Sequence, residues 1–525
     1  MTAVVSPCDL RGMLDDGGEL ALVDVREELI FSQSHLLLAR SVPSSRFELK
    51  FAQLVPRRAT RVVLCDDGDG LAERAAAILL RNGYTDMRIL AGGVIAWGAA
   101  GFELFSGVNV PSKAFGEYVE HINGTPSIAA SELEKLLRDG ADLVVLDSRP
   151  FDEYARVSIP TATNVPGAEL VLRAREIAPS PQTTLVVNCA GRTRSIIGAQ
   201  SLINAGVPNA VVALRNGTMG WSLAGFTCDS GKNRRAPAVS SKTLDWARSA
   251  AQRIAQSCGV KRIDRATLDA WRADSGRTLY AFDVRDPTEY RAGHLPGAIS
   301  APGGQLVQAT DQYVGTLGAR IVLVDDTEVR AAMTGSWLRQ MGFTDVFIFA
   351  ETGTETGAPE IPVLQNDVPP DAAIDCAGLS ELLSRNAATV IDLSLSRNYL
   401  ARHIPGAWFA IRTRLARAFE KVPIHAMLVL TSEDGVVASL AVAEAVDLLG
   451  RPVRFLEGGN AAWQAAGNAL SADAEMADDV VDQWRKPYER TGDTRAAMAE
   501  YLAWETDLLP RIERDGSLKF FCISA

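Results

Sequence analysis

The chain repeats itself, and that repeat limits the folds open to it more than any other feature. An apolar run ending in Asp-x-Arg occurs as ALVDVR at Asp24, VVLDSR at Asp147 and AFDVR at Asp283, with VIDLS at Asp392 as a decayed fourth copy. A second apolar strand follows at a nearly constant distance. RVVLC ends at Cys65, 41 residues after Asp24; LVVNC ends at Cys189, 42 after Asp147; RIVLV ends at Val324, 41 after Asp283. Each then runs through a helical stretch to a glycine, Gly83, Gly206 or Gly342, 17 or 18 residues on. Repeats one, two and four close on a Gly-containing turn and a tryptophan, AGGVIAW at Trp97, RNGTMGW at Trp221 and EGGNAAW at Trp463, whereas FAETGTETG in repeat three has lost that ending. Cys65 and Cys189 each lie 32 residues before their tryptophan, which aligns one with the other.

Within each repeat, short β-branched runs alternate with amphipathic stretches such as SELEKLLRDG and LAERAAAILLRNG, the pattern of an α/β unit around a mostly parallel sheet flanked by helices. The 525 residues suit several domains rather than one core. Pro-, Gly- or polar-rich links near 108–124, 229–258 and 360–372 place domains at 1–107, 125–228, 259–359 and 373–474. A Trp- and charge-rich tail, 475–525, is expected to be helical and to pack on the body.

A net charge of −11 without a Lys/Arg run argues against nucleic acid as a partner. The start MTAVVSPCDL lacks the features of a signal peptide, and no stretch reaches the roughly 18 apolar residues of a membrane span, so the expected location is cytoplasmic with no membrane partner. In that setting the NGT sequons at Asn123 and Asn216 carry no meaning. The terminal CISA fits a loose prenylation pattern at Cys522, but no polybasic run precedes it. Seven scattered cysteines without a CxxC pair point to free thiols rather than disulfides or zinc. Of the five histidines (His35, His121, His294, His403, His425), at least three recur at one repeat position and so fall in different modules. A structural role is expected for them, with no metal.

The segment after LVVN reads CAGRTRS. In an α/β unit, ligands sit where strands end and helices begin. A cysteine there, with a short loop and the helix SIIGAQSLINAG behind it, places its sulfur among backbone N–H groups at a helix N-terminus. Arg192 and Arg194 lie within five residues of Cys189, and helix dipole and cations together favour the nucleophilic thiolate. The same donors suit a persulfide and the oxyanion end of a sulfur donor. In repeat one the loop CDDGDGL surrounds Cys65 with Asp66, Asp67 and Asp69, which repel anions. Repeat three offers Val324 at that place and repeat four Thr431 or Ser432, so three loops are expected to be silent.

CAGRTRS resembles the CxxxxR[ST] active loop of the rhodanese (thiosulfate sulfurtransferase) family, whose other marker is the Asp-x-Arg strand. RAGHLPGA at His294 and ARHIPGA at His403 are similar to its GHIPGA element, and the likeness covers about residues 1–474. It implies four tandem rhodanese-like domains of which the second is catalytic. By that likeness Cys189 is the persulfide carrier, Ala190, Gly191, Arg192 and Thr193 offer cradle amides, Arg194 and Ser195 end the loop, and Asp147 and Arg149 brace it. Arg192, whose spacing the family pattern does not fix, reads equally as a substrate contact or a surface arginine. Repeat two has Ser158 where the GHIPGA histidine would stand, so that histidine is not essential to the chemistry.

The implied reaction moves a sulfane sulfur from thiosulfate, or a similar small anionic donor, to cyanide or a thiol, with no cofactor. Two arginines favour a sulfonate-like donor. Two other readings compete with it. A cysteine-dependent phosphatase or arsenate reductase holds five residues between Cys and Arg where this loop holds four, Ala190–Thr193, and a non-catalytic scaffold would fit the three silent loops. The silent repeats are expected to wall the active loop or to form a homodimer surface.

Overall fold

The computed structural model describes residues 2–358, 361–366 and 368–523. Domain 3's expected boundary at 359, residues 360 and 367 of the third link, the first Met of MTAVVSPCDL and the last two residues of CISA lie outside them. Each repeat folds as an α/β domain on its own sheet, and all four sheets share one strand order, first–fifth–fourth–second–third, with every pairing parallel. Such sheets need both faces covered, which is why their strands read as continuous apolar runs: Leu20–Asp24 and Ala388–Asp392 are buried at every position. Among the described residues no helix is long and apolar enough to cross a membrane.

The register corrects the alignment of the repeats. Asp147 pairs with Asn188, whereas Asp24 pairs with Cys65, Asp283 with Val324 and Asp392 with Thr431. Cys65 is therefore the counterpart of Asn188, and the position of Cys189 is held by Asp66, Asp325 and Ser432 in the other domains. The shared spacing to tryptophan misled because one extra residue between Gly206 and Gly217 compensates the one-residue slip.

The link near 108–124, expected to be a linker, is instead a helix, Val110–Asn123, most of it buried. Its Pro111 sits in the first turn, where a missing N–H costs nothing. Gly116, which reads as a breaker, is a close-approach residue: a Cβ there would stand 2.8 Å from Thr193 Cγ2. The second link does contain its helical stretch, Ser241–Ser257, and this helix fuses the cores of domains 2 and 3 into one apolar cluster. The tail contains the helices Thr494–Thr506 and Leu508–Asp515, yet it opens with a strand, Glu475–Met476, that adds a sixth strand to the sheet of domain 4.

Domains 1 and 4 meet over Glu27, a buried carboxylate that accepts hydrogen bonds from Ser45 (2.9 Å) and Thr413 (3.1 Å). Burial pushes its carboxyl up to about 7. Because the folded value lies above the unfolded one near 4.5, this group's stabilising contribution is complete below about pH 4.5 and is lost as pH rises through 7, by up to about 3 kcal/mol. Urea unfolding at pH 5 and pH 8 is expected to show a steeper decline in wild type than in Glu27→Gln, which cannot ionise. Equal slopes would refute this.

Candidate active site

Strand Thr184–Asn188 ends immediately before Cys189, and helix Thr193–Ala205 begins four residues later with Arg192 at its cap. Cys189 is 2% exposed, its Sγ 3.5 Å from the Ser195 hydroxyl, which itself donates to the Arg192 carbonyl at 2.7 Å. The first turn of the Trp221 helix, Gly217–Leu223, fastens the loop. The amide and hydroxyl of Thr218 both donate to the Cys189 carbonyl (2.8 and 3.0 Å), and the Met219 amide donates to the Ala190 carbonyl (3.0 Å). Gly217, at φ +53°, is required there, since a Cβ would drive into the Cys189 carbonyl.

Asp147 and Arg149 form a buried ion pair at 2.7 Å. Asp147 also accepts from the Asn188 side chain at 3.0 Å, one residue before the cysteine, and Arg149 donates to the Val157 carbonyl. The same clasp occurs as Arg26 on Asp24 and Arg285 on Asp283, reaching the carbonyls of Ser34 and Gly293. It joins a strand end to the segment before the recurrent histidine. His35, His294 and His403 each stack on the aromatic ring four residues earlier, with centroids 3.8 to 4.0 Å apart. Ser158 takes this place in domain 2 and bridges to Asp229 as the histidines bridge to Phe105, Glu355 and Ser471.

The other three domains show what the loop is shaped to hold. In domain 3 the Asp325 carboxylate accepts from the amides of Thr327, Arg330 and Ala331 and from Arg330 Nε at 3.0 Å. In domain 1 the Asp66 carboxylate accepts from the amides of Gly68 and Ala72, and in domain 4 Ser432 Oγ accepts from the Ala438 amide. An anionic or polar group thus fills the cradle wherever the cysteine is missing. Domain 3 even keeps the loop arginine: Arg330 follows Asp325 by five residues as Arg194 follows Cys189. Its partner Glu289 follows Asp283 by six residues as Glu153 follows Asp147.

The two loop arginines part company. Arg194 lines a cavity of about 230 Å³ that reaches Cys189, Ala190 and Gly191, and its guanidinium binds Glu153 at 3.0 Å and Gln305 of domain 3 at 3.1 Å. Burial opposes its charge, but Glu153 and Cys189 outweigh burial and hold its pKa above the ordinary value. Arg192 does not line this cavity. It is clamped by both oxygens of Glu117 (2.7 Å each) and by Glu120, on the linker helix Val110–Asn123. Thr193 is likewise turned away, towards Glu505 at 3.5 Å.

Other walls of the cavity come from outside domain 2. The linker helix supplies Lys113, paired with the fully buried Glu505 of the tail at 2.7 Å. Domain 3 supplies Gln305, Gln308 and Gln312, and the tail supplies Trp484, Lys486, Pro487, Tyr488 and Tyr501. The tail presses on the loop itself: a Cβ on Gly191 would meet Met219 Cε at 2.9 Å and Glu505 Oε2 at 3.1 Å. None of these tail, linker or domain 3 residues is marked by a motif. Glu153 was accessible from the sequence through its counterpart Glu289.

Cys65 is buried, its Sγ 3.6 Å from the Val23 carbonyl; burial first, then Asp24, Asp66 and Asp67, push its thiol well up. Burial also raises the Cys258 and Cys522 thiols to about 11.

A family model of the rhodanese-like domain matches residues 6–100, 129–224, 265–353 and 376–466. The crystal structure of a thiosulfate sulfurtransferase from Pseudomonas aeruginosa is 48% identical, superposes with a TM-score of 0.97, and is covered over 100% of its length by 99% of this chain. A curated thiosulfate sulfurtransferase of the same species (strain PAO1) is 32% identical over 185 residues, 31% of this chain and 67% of that protein. The probable adenylyltransferase/sulfurtransferase MoeZ of Mycobacterium tuberculosis is 33% identical over 96 residues, 18% of this chain, and the match spans only 24% of the MoeZ length. With four matched units on four sheets of one topology, the chain belongs to the rhodanese-like domain family.

Proposed function

We propose that this protein is a thiosulfate sulfurtransferase that works through a persulfide on Cys189 of domain 2. One observation carries the reading: Cys189 occupies the position at which Asp66, Asp325 and Ser432 accept from the same cradle, so the fold holds an anionic or polar acceptor where the sulfur sits. By the pattern of domain 3, the amides of Gly191 and Arg194 face the sulfur, joined by the Ser195 hydroxyl.

In the first step the Cys189 thiolate attacks the outer sulfur of thiosulfate. A Cys189 S–S bond forms, the donor's S–S bond breaks, and its electron pair leaves on sulfite. In the second step an acceptor nucleophile, cyanide or a thiol, bonds to the outer sulfur and the electron pair returns to Cys189. The outer sulfur stays formally anionic between the steps, which suits a cradle of amides and the Arg194 guanidinium. Asp147, Arg149 and Asn188 hold the loop in place, and Arg192 anchors it to the linker helix; neither arginine pair reacts.

Steady-state assays with thiosulfate and cyanide are expected to give thiocyanate and sulfite with parallel double-reciprocal lines, the mark of a covalent intermediate that forms before the second substrate binds. Intersecting lines, or no thiocyanate, would overturn the reading.

A further inference from the structure

Among the described residues, the Cys189 cavity has one cation without a carboxylate of its own. Arg192 is consumed by Glu117 and Glu120, outside the cavity. Lys113 is matched one to one by Glu505. Arg194 and Lys486 share a single carboxylate, Glu153, at 3.0 and 3.2 Å. Glu153 lies well below the ordinary carboxylate range, because Arg194 and Lys486 overcome the effect of its burial. Two positive charges against one negative, in a partly enclosed pocket, make a site with an unfilled requirement for an anion.

Lys486 belongs to the tail and is 35% exposed, so its ammonium can turn from Glu153 to a ligand. Two residues on stands Tyr488, whose hydroxyl burial and the Glu153 charge push up to about 12, keeping it a neutral hydrogen-bond donor. Both line the cavity that holds Cys189.

We propose that the tail builds the donor subsite of this enzyme: Lys486, with Tyr488 beside it, binds the sulfonate oxygens of thiosulfate while the outer sulfur faces Cys189. The proposal rests on the sulfurtransferase reading and assigns the sulfonate-like specificity to the tail, not to Arg192. Thiosulfate arrives as a dianion at a thiolate, and sulfite leaves as a dianion from a persulfide, so a cation at the sulfonate end assists the first step. The second step with cyanide involves no sulfonate and does not use it.

The test separates the two half-reactions in the full-length protein. The initial rate of loading is followed by quenched intact mass against thiosulfate concentration; the rate of discharge is followed by adding cyanide to protein loaded at saturating thiosulfate. Lys486→Met is expected to raise the half-saturating thiosulfate concentration by about ten- to a hundredfold. Its discharge by cyanide should stay within about twofold of wild type, and Lys486→Arg should recover most of the loading. An unchanged half-saturation in Lys486→Met, or equal slowing of both half-reactions, would overturn the subsite alone. Failure of wild type to load at all would bring down the sulfurtransferase reading, and the subsite with it.

Discussion

Cys189→Ser is expected to abolish sulfur uptake, while Cys65→Ser leaves it intact. Wild-type protein mixed with thiosulfate should gain about 32 Da, one sulfur atom, and lose it to cyanide; Cys189→Ser should gain nothing, with turnover down about four orders of magnitude or more. The contrast follows from position. A serine at 189 keeps the loop, Arg194 and the tail but offers a hydroxyl that stays protonated at neutral pH. Cys65 ends a strand one position before its cradle, is fully buried, and has a thiol that burial and three aspartates hold protonated. Uptake that survives in Cys189→Ser would move the chemistry elsewhere, and uptake lost in Cys65→Ser would contradict the register.

The repeat, its α/β class and its loop were readable because each rests on local signals: apolar runs that end in Asp-x-Arg, a glycine after each helix, a cysteine at a strand end. What misled was the match of cysteine to cysteine. A β-ladder registers by backbone pairing, and Asp147 opposite Asn188 against Asp24 opposite Cys65 shows that identical side chains occupied successive positions. The walls of the site were unreadable for a different reason. Lys113, Gln305 and Lys486 reach the cavity from three segments up to several hundred residues from Cys189, and each looks like an ordinary polar residue of its own helix or loop. Arg192 is the converse case. Its place in the loop left a substrate contact and a surface arginine equally open, and the Glu117 and Glu120 carboxylates of the linker helix are what its charge meets.

Domain 3 clarifies what decay of the loop entails. A carboxylate in place of the sulfur satisfies the cradle, and Arg330 becomes a structural centre. It is 1% exposed and joined to Asp325 (3.0 Å), Asp326 (2.9 Å), Glu289 (2.6 Å) and, across the interface, Glu169 of domain 2 (2.9 Å). Burial disfavours its charge, yet Asp325, Glu169 and Glu289 hold its pKa far above the ordinary value. The loops of domains 2 and 3 thus carry the same Arg–Glu pair, and Glu169 lies beside Ala168 and Gly167, which pack on Gly303 and Gly304 at the start of the helix that carries Gln305.

Arg330→Met is accordingly expected to destabilise the protein by about 3–5 kcal/mol, because it leaves Asp325 buried without a cation and leaves Glu169 with only the more exposed Arg173. Arg173→Met should cost under about 1 kcal/mol, since that arginine pairs with the same Glu169 at a more exposed position. The pH dependence identifies the cause. Orphaned buried carboxylates have folded pKa values above their unfolded ones, so they retain protons in the folded variant. The deficit of Arg330→Met is therefore smallest near pH 5 and grows towards pH 8. Urea unfolding of the domain 2–3 transition at both pH values measures it. A deficit independent of pH would mean that lost packing, not unbalanced charge, is what the substitution costs, and a deficit below about 1 kcal/mol would show the carboxylates finding other partners.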